Sequence, residues 1–112
     1  MVTAIEKTID ELKTIGALRG VDVANVVDVS KATVSRWSHG KGTPRTRAQL
    51  VLSDLRYVVD SLAEMYAPDE VRVWLYSRNK LLDGGTAIDL INAGKTDQVL
   101  AAINSLSSHT YL

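Results

Sequence analysis

The sequence predicts an all-α protein. Apolar residues recur at steps of three and four along the chain, strand-like alternation is scarce, and Gly or Pro interrupts the periodic segments. A hydrophobic content of 46% with 23% charged residues is typical of globular proteins. A chain of 112 residues can form one sizeable domain or two very small ones.

The first segment is predicted to contain three helices. One apolar stripe runs from Val2 to Ile15, and Gly16 is expected to close that helix as its C-terminal glycine. A short second helix is predicted from Val21 to Val27, and Ser30 can cap a third helix by accepting a backbone N–H bond. A turn should then follow, because the next residues include Gly40, Gly42 and Pro44.

The longest predicted helix runs from Thr46 to Tyr66. Its wide apolar face could pack inside the protomer or across a two-fold axis, and the sequence leaves both open; the face contains Leu52, Leu55, Val58, Val59, Leu62, Met65 and Tyr66. Pro68 cannot continue this helix but suits the first turn of the next, which includes Val71 to Tyr76.

Two more helices are predicted after the turn Asp83-Gly84-Gly85. Thr86 can cap the first in a capping-box spacing with Asp89, and Gly94 should end it. Thr96 can cap the last helix, whose predicted buried face contains Val99, Leu100, Ile103 and Leu106. Residues 107–112 carry no helical signal. We therefore divide the chain into an N-terminal unit (1–45), a connecting helix (46–66) and a C-terminal unit (67–112).

Residues 23–40 have the pattern of a helix-turn-helix, the motif that places its second helix in the DNA major groove. Ala24 is small where the helices must cross, Val29 can plug the turn, and Val34 and Trp37 can anchor the second helix from beneath. The turn position that often holds Gly is Asp28, which tolerates a left-handed backbone better than most residues do.

Charge supports DNA binding by this segment, although the net charge is zero. Five cations and no acid lie between Lys31 and Arg47, and such a patch attracts phosphate. The alternative is a solvated surface. The predicted DNA-contacting residues are Ser30, Lys31, Thr33, Ser35, Arg36, His39, Lys41, Arg45 and Arg47.

The C-terminal half resembles a known family. The strings Val73-Trp74-Leu75, Asn79-Lys80-Leu81-Leu82, Ala87-Ile88-Asp89-Leu90-Ile91 and Val99-Leu100-Ala101-Ala102-Ile103 look like the toxin-binding domain of the Xre/MbcA/ParS antitoxins. Mycobacterial MbcA-like members look most similar. With the preceding helix-turn-helix pattern, the resemblance covers nearly the whole chain. Ala87 departs from it, because the family commonly has proline there.

The resemblance implies a partner, a RES-domain toxin that consumes NAD⁺. An antitoxin of this type would occlude the toxin's active-site cleft, repress the shared operon through operator DNA, and form homodimers or larger toxin–antitoxin assemblies. Trp74 could anchor the toxin or belong to the core, and the tail could enter the toxin's cleft or pack on its own chain. The candidate toxin-contacting residues are Trp74, Arg78, Asn79, Lys80, His109, Thr110, Tyr111 and Leu112.

Other function classes have less support. The sequence contains no catalytic constellation, cofactor motif or metal-ligand spacing, and its two histidines stand apart. The lack of cysteine, of a signal-peptide pattern and of a run of about 18 apolar residues favours a cytoplasmic protein without a membrane partner. Two alternatives remain open: a stand-alone repressor whose C-terminal half only dimerises, and an interaction module that has lost DNA binding.

Overall fold

A computed structural model describes residues 2–109, and these residues form helices and connecting turns. The α-helices are α1 (Ala4–Gly16), α2 (Gly20–Val27), α3 (Lys31–Ser38), α4 (Thr46–Ala63), α5 (Pro68–Tyr76), α6 (Ala87–Asn92) and α7 (Thr96–His109), with a 3-10 helix at Lys80–Leu82 between α5 and α6. The predicted all-α fold class is confirmed. Within the described residues, no helix is long and apolar enough to cross a membrane.

One hydrophobic core joins the N-terminal and C-terminal segments. It includes Leu12 of α1, Val26 of α2, Leu55 of α4, Leu75 of α5 and Val99 of α7. Because α4 contacts α1, α2, α5, α6 and α7, this helix is the centre of the packing. The apolar face of α4 is therefore buried within the protomer, which decides between the two placements that the sequence left open.

The end of α1 differs from the prediction. Gly16 is the last helical residue, and the left-handed position falls on Ala17, with φ of 54°. A Cβ added to Gly16 would lie 3.1 Å from a methyl group of Val59, so glycine allows α1 and α4 to approach closely. Leu18 follows as a buried residue whose N–H donates to the carbonyl of Leu12 over 3.2 Å. Because Gly16 is needed for the close packing of α1 against α4, the left-handed residue that ends the helix is Ala17, one residue later than predicted.

Three other element boundaries also need correction. Helix α4 ends at Ala63 rather than Tyr66. Pro68 requires an extended residue before it, which is Ala67, so the chain leaves the helical conformation before that residue. Thr96 is the first residue of α7, and its hydroxyl donates to Asp54 over 2.9 Å instead of capping the helix. Helix α7 continues through Ser107 and Ser108, because its apolar face still packs on the core in the preceding turn.

Candidate DNA-binding surface and partner surface

Helices α2 and α3 are joined by a three-residue turn whose geometry is set by Asp28. This residue has φ of 67°, the left-handed conformation that the sequence led us to expect. Its N–H and that of Val29 both donate to the carbonyl of Ala24, over 2.9 and 3.1 Å. Val29 packs against the core while Ala24 is buried. The turn therefore ends α2 with the carbonyl of Ala24 hydrogen-bonded, and α3 begins directly after it.

Helix α3 is held from beneath by two buried side chains. Val34 and Trp37 are 1% and 6% exposed. The start of the helix is capped by Ser30, whose side chain accepts the N–H of Thr33 over 3.1 Å, as predicted. Because α3 has only two turns, this cap and the two anchors define the direction of its outer face.

The outer face of α3 carries a line of polar groups that are already in contact. The hydroxyls of Ser30 and Thr33 lie 2.9 Å apart, and Arg36 Nη2 donates to Thr33 Oγ1 over 3.1 Å. These residues follow each other at steps of three, so they share one side of the helix. The guanidinium of Arg36 is exposed and retains donors for a base edge or a phosphate.

The predicted DNA-contacting residues of α3 line two grooves, one on each side of the helix. Lys31 and Ser35 line a groove of about 530 Å³ between α3 and α1. Thr33 and Arg36 line another, of about 450 Å³, whose lining also includes Arg45 and Arg47. The structure therefore brings the cations Arg36, Arg45 and Arg47 to one groove and separates Lys31 from them.

His39 and Lys41 lie in the exposed connection after α3. His39 Nδ1 is 2.7 Å from the carbonyl oxygen of Ser35, so the ring is folded back against the end of the helix. The N–H of Lys41 donates to the carbonyl of Arg36 over 2.8 Å and closes the helix, while the lysine side chain is exposed. Their contacts with DNA remain predictions.

Arg47 has a structural function that the sequence did not reveal. Its Nη1 donates to the carbonyl of Val27 over 3.2 Å, and its Nη2 donates to the carbonyl of Asn92 over 2.8 Å. The Asn92 side chain in turn donates to the carbonyl of Val26 over 2.8 Å. These bonds satisfy the last carbonyls of α2 and connect that helix to α6. The guanidinium of Arg47 therefore already has two partners within the protein, and its contact with a phosphate remains a prediction.

A buried carboxylate connects α2 to α5. Asp22 is 2% exposed and accepts bonds from Tyr76 Oη over 2.6 Å, from the N–H of Arg19 over 2.8 Å and from Arg72 Nη2 over 3.1 Å. Burial opposes ionisation of Asp22, but these hydrogen bonds and the charge of Arg72 outweigh it and hold the pKa of Asp22 below its ordinary value. The pKa of Tyr76 is raised by its burial and by its bond to Asp22.

The outer side of α5 presents an open groove of about 380 Å³. Trp74 is half-buried and packs against the core, yet it also lines this groove together with Val73 and Tyr66. Asp69 and Glu70 form its acidic part. Trp74 thus combines the two positions that the sequence treated as alternatives, since one part of the indole packs inward and another is accessible.

The remaining toxin-contact candidates lie outside the lining of this groove. Arg78 Nη1 donates to the carbonyl of Gly84 over 3.2 Å, and the Asn79 side chain caps the 3-10 helix by accepting the N–H of Leu81 over 2.9 Å. Lys80 is exposed at the start of that helix. The side chain of His109 and the candidates Thr110, Tyr111 and Leu112 lie outside the described residues.

Comparison with known proteins identifies the family. The mycobacterial cidal antitoxin MbcA of Mycobacterium tuberculosis is 34% identical over 91 residues, which are 81% of this chain and 80% of that protein. The MbcA of Mycobacterium bovis matches to the same extent. A probable mycobacterial cidal antitoxin of M. tuberculosis is 34% identical over 93% of this chain and 88% of its own length. The chain belongs to the MbcA antitoxin family. No protein-family model matches it.

A solved structure extends the likeness to the whole fold of this MbcA-family chain. The crystal structure of the M. tuberculosis MbcT–MbcA toxin–antitoxin complex contains a chain that matches with a TM-score of 0.85 and 31% identity. The match covers 99% of this chain and 100% of the other. The arrangement of helices is therefore shared with a protein crystallised together with its toxin.

Several residues that shape the surfaces of this MbcA-family protein were not predicted from the sequence. Lys13 and Arg19 add two cations to the groove that contains Lys31, and Asp22 is the buried link between α2 and α5. The acidic Asp22 within the otherwise apolar segment 21–27 was the available signal, because a carboxylate is rarely buried without a partner. Within residues 2–109 no group of three His, Asp or Glu side chains could hold a metal ion.

Proposed function

We propose that the chain is a cytoplasmic antitoxin that binds and occludes a RES-domain, NAD⁺-consuming toxin and represses its own operon through α3. The observation that carries the proposal is the match of nearly the whole chain to a member of a toxin–antitoxin complex. A fold shared over 99% of the chain with a protein crystallised in such a complex supports the toxin-binding part of the proposal. The proposal assigns no catalytic residue and no cofactor to this chain.

The toxin-binding half of the proposal places contacts on the α5 groove and on the tail beyond α7. Trp74 supplies a large, partly accessible aromatic surface, which is typical of interface anchors. The tail contributes Tyr111 and Leu112, an aromatic and an aliphatic side chain that suit a cleft. Occlusion by the tail would block substrate entry without any chemistry by the antitoxin.

The test uses the RES-domain toxin encoded beside this gene. The full chain should co-purify with it, stop NAD⁺ consumption and rescue cells that express it. Deletion of residues 110–112 should restore most NAD⁺ consumption, whereas replacement of His109 alone by Ala should have a smaller effect because the tail remains. Full inhibition by the shortened chain would exclude the tail, and failure of the full chain to bind the toxin would exclude the antitoxin function proposed.

The DNA-binding half of the proposal assigns the reading of the operator to α3. The connected line Ser30, Thr33 and Arg36 offers hydroxyls and a guanidinium on one face, which suits base edges and phosphates. Changing Thr33→Ala together with Arg36→Ala should weaken operator binding by at least about tenfold, because a bidentate arginine contact discriminates by roughly 1–3 kcal/mol. Arg78→Ala removes an arginine distant in sequence from α3 and is the matched control.

An electrophoretic or anisotropy assay on the chain's own promoter measures this effect at two salt concentrations. Unchanged affinity and footprint of the double variant would exclude α3 as the reading helix. Operator binding by a chain that captures no toxin would instead favour the stand-alone repressor. Toxin capture without operator binding would favour an interaction module.

A further inference from the structure

The groove between α1 and α3 carries three cations that come from three parts of the chain. Lys13 lies on α1, Arg19 is the residue before α2, and Lys31 is the first residue of α3. All three residues are exposed. Within the part of the chain that the structure describes, no hydrogen bond or ion pair occupies any of these side chains. We call Lys13, Arg19 and Lys31 the groove cations.

The charges of this groove are divided between its two ends. Its acids are Glu6 and Asp10, and the carboxylate of Glu6 lies against Gly40, beyond the last residue of α3. Lys13 is seven residues, or about two turns, further along α1, so it lies towards the other end of α3, where Lys31 begins the helix. An anion is therefore attracted to the end with the groove cations and repelled from the end with Glu6.

The groove cations lie on one flank of α3. With 3.6 residues per turn, the α3 residues that line the two neighbouring grooves fall on opposite sides of the helix. The first set is Lys31, Val34, Ser35 and Ser38, and the second set is Thr33, Arg36 and Trp37. Each groove therefore follows one edge of the outer face of α3.

This arrangement matches the surroundings of a helix that is bound in the major groove of DNA. The major groove is about 12 Å wide, and an α-helix with its side chains is about 10–12 Å across. Such a helix has a sugar-phosphate backbone on each side. With α3 bound in this way, the backbone of one strand faces the α1–α3 groove, and the backbone of the other strand faces the groove that contains Arg36 and Arg45.

The cations on the two flanks differ in the bonds that they already make. On the flank of the second groove, Arg47 donates to the carbonyls of Val27 and Asn92, and Arg36 donates to the hydroxyl of Thr33. The groove cations make no such bonds. A phosphate can therefore bind them without displacing a partner within the protein.

We infer that Lys13 and Arg19, together with Lys31, bind backbone phosphates of one operator strand on the flank of α3 opposite Arg45. The inference rests on the operator binding through α3 that is proposed above, and it adds two residues that lie outside the segment 23–40. Phosphate contacts neutralise charge and fix the position of the protein, but they do not read base edges. These residues should therefore increase affinity for any DNA without changing sequence preference.

Titration of operator DNA at several salt concentrations tests the inference. Lys13→Gln with Arg19→Gln should raise the dissociation constant by about tenfold and make the dependence of log affinity on log salt shallower by about 1–2, because each phosphate contact contributes about 0.9. The ratio of the affinities for operator and unrelated DNA should not change. Lys7→Gln with Lys95→Gln is the matched control, since it removes the same charge from exposed lysines that line neither groove.

Ethylation interference identifies the strand that each flank contacts. In the native chain, ethylation of phosphates on both strands should block binding. The Lys13→Gln, Arg19→Gln chain should lose this sensitivity at phosphates of one strand, and Arg45→Gln should lose it at phosphates of the other strand. The thermal midpoints of these chains should match that of the native chain, because the altered side chains are exposed.

Three results would overturn the inference while the native chain still binds its operator. The first is a native salt dependence and interference pattern in the Lys13→Gln, Arg19→Gln chain, which would leave the proposed function intact without this site. The second is equal weakening by the Lys7→Gln, Lys95→Gln control, which would assign the effect to net charge. The third is normal operator binding with lost toxin capture, which would assign the groove to the toxin interface. A native chain without preference for the operator would instead refute the proposed operator binding, and the inference with it.

Discussion

At the scale of single residues, the protein depends on a charged group placed where apolar residues predominate. Asp22 lies among the buried valines of α2 and holds the N–H of Arg19, the hydroxyl of Tyr76 and the guanidinium of Arg72. Arg72 also lies over the Tyr76 ring, with 5.1 Å between its Cζ and the ring centroid. A buried ion is stable in the fold when such partners replace the water it has lost. Removal of one partner leaves part of the desolvation penalty of the ion uncompensated.

This dependence predicts a pH signature for Arg72→Met. Without the guanidinium, the pKa of Asp22 should rise, and the free energy of unfolding at pH 7 should fall because the ionised carboxylate loses one of its partners. The deficit should shrink as pH falls below about 4, where Asp22 becomes protonated in both states of the variant and the native chain loses its own advantage.

Urea unfolding at several pH values measures this deficit, with Arg78→Met as the control at an exposed arginine. A deficit that does not change between pH 7 and pH 3 would mean that Arg72 acts through packing on Tyr76 and not through the charge of Asp22.

Ala17 yields a second prediction at this scale. It holds φ of 54°, which costs a residue with a Cβ roughly 1 kcal/mol and costs glycine very little. Ala17→Gly should therefore raise the free energy of unfolding by about 0.5–1 kcal/mol, despite the greater freedom of glycine in the unfolded chain. Ala93→Gly is the matched control, because Ala93 ends α6 with φ of −79° and should gain nothing. A loss of stability in Ala17→Gly would contradict the assignment of strain to this position.

At the scale of helices, the cap of α3 is the feature whose loss is easiest to measure. Ser30 accepts the N–H of Thr33 and also contacts its hydroxyl. Ser30→Ala should cost about 1 kcal/mol and lower the thermal midpoint by roughly 4 °C. Ser35→Ala, at an exposed position in the middle of the same helix, should change the midpoint little. Equal effects of the two substitutions would show that the Ser30 hydroxyl does not cap the helix.

Local signals account for the parts of the fold that the sequence could predict. Ser30 and Thr33, or Thr86 and Asp89, are close enough in the chain for their cap to be visible as spacing. The left-handed Asp28 and the first-turn Pro68 were likewise predictable from residue type alone. The division into two units and the functional residues assigned to them remain predictions.

Contacts between distant segments could not be predicted in the same way. Arg47 and Asn92 are 45 residues apart, and Asp22 and Tyr76 are 54 residues apart. Periodicity describes which face of a helix is apolar, but it does not state which other helix covers that face. For this reason Arg47 resembled a surface cation, although its guanidinium bonds to the ends of α2 and α6.

At the scale of the whole molecule, these long-range bonds and the common core join the α2–α3 region to the C-terminal helices. Asp22 connects α2 to α5, and Arg47 with Asn92 connects α2 to α6. The core residues of both segments form one cluster around α4. Because the two predicted units share this single core, neither should retain its packing when the other unfolds.

The two tryptophans allow this cooperativity to be measured. Trp37 reports on α3 and Trp74 reports on α5, so Trp74→Phe and Trp37→Phe give chains with one fluorescent probe in each region. In each chain, the urea midpoint from tryptophan fluorescence should coincide with the midpoint from far-ultraviolet circular dichroism, because a single core yields a single transition. Each comparison is made within one variant, so a change in stability caused by the substitution does not affect it. If the Trp37 signal changes at a lower urea concentration than the helical signal, α3 and its neighbours unfold separately, and the two units are independent despite their shared core.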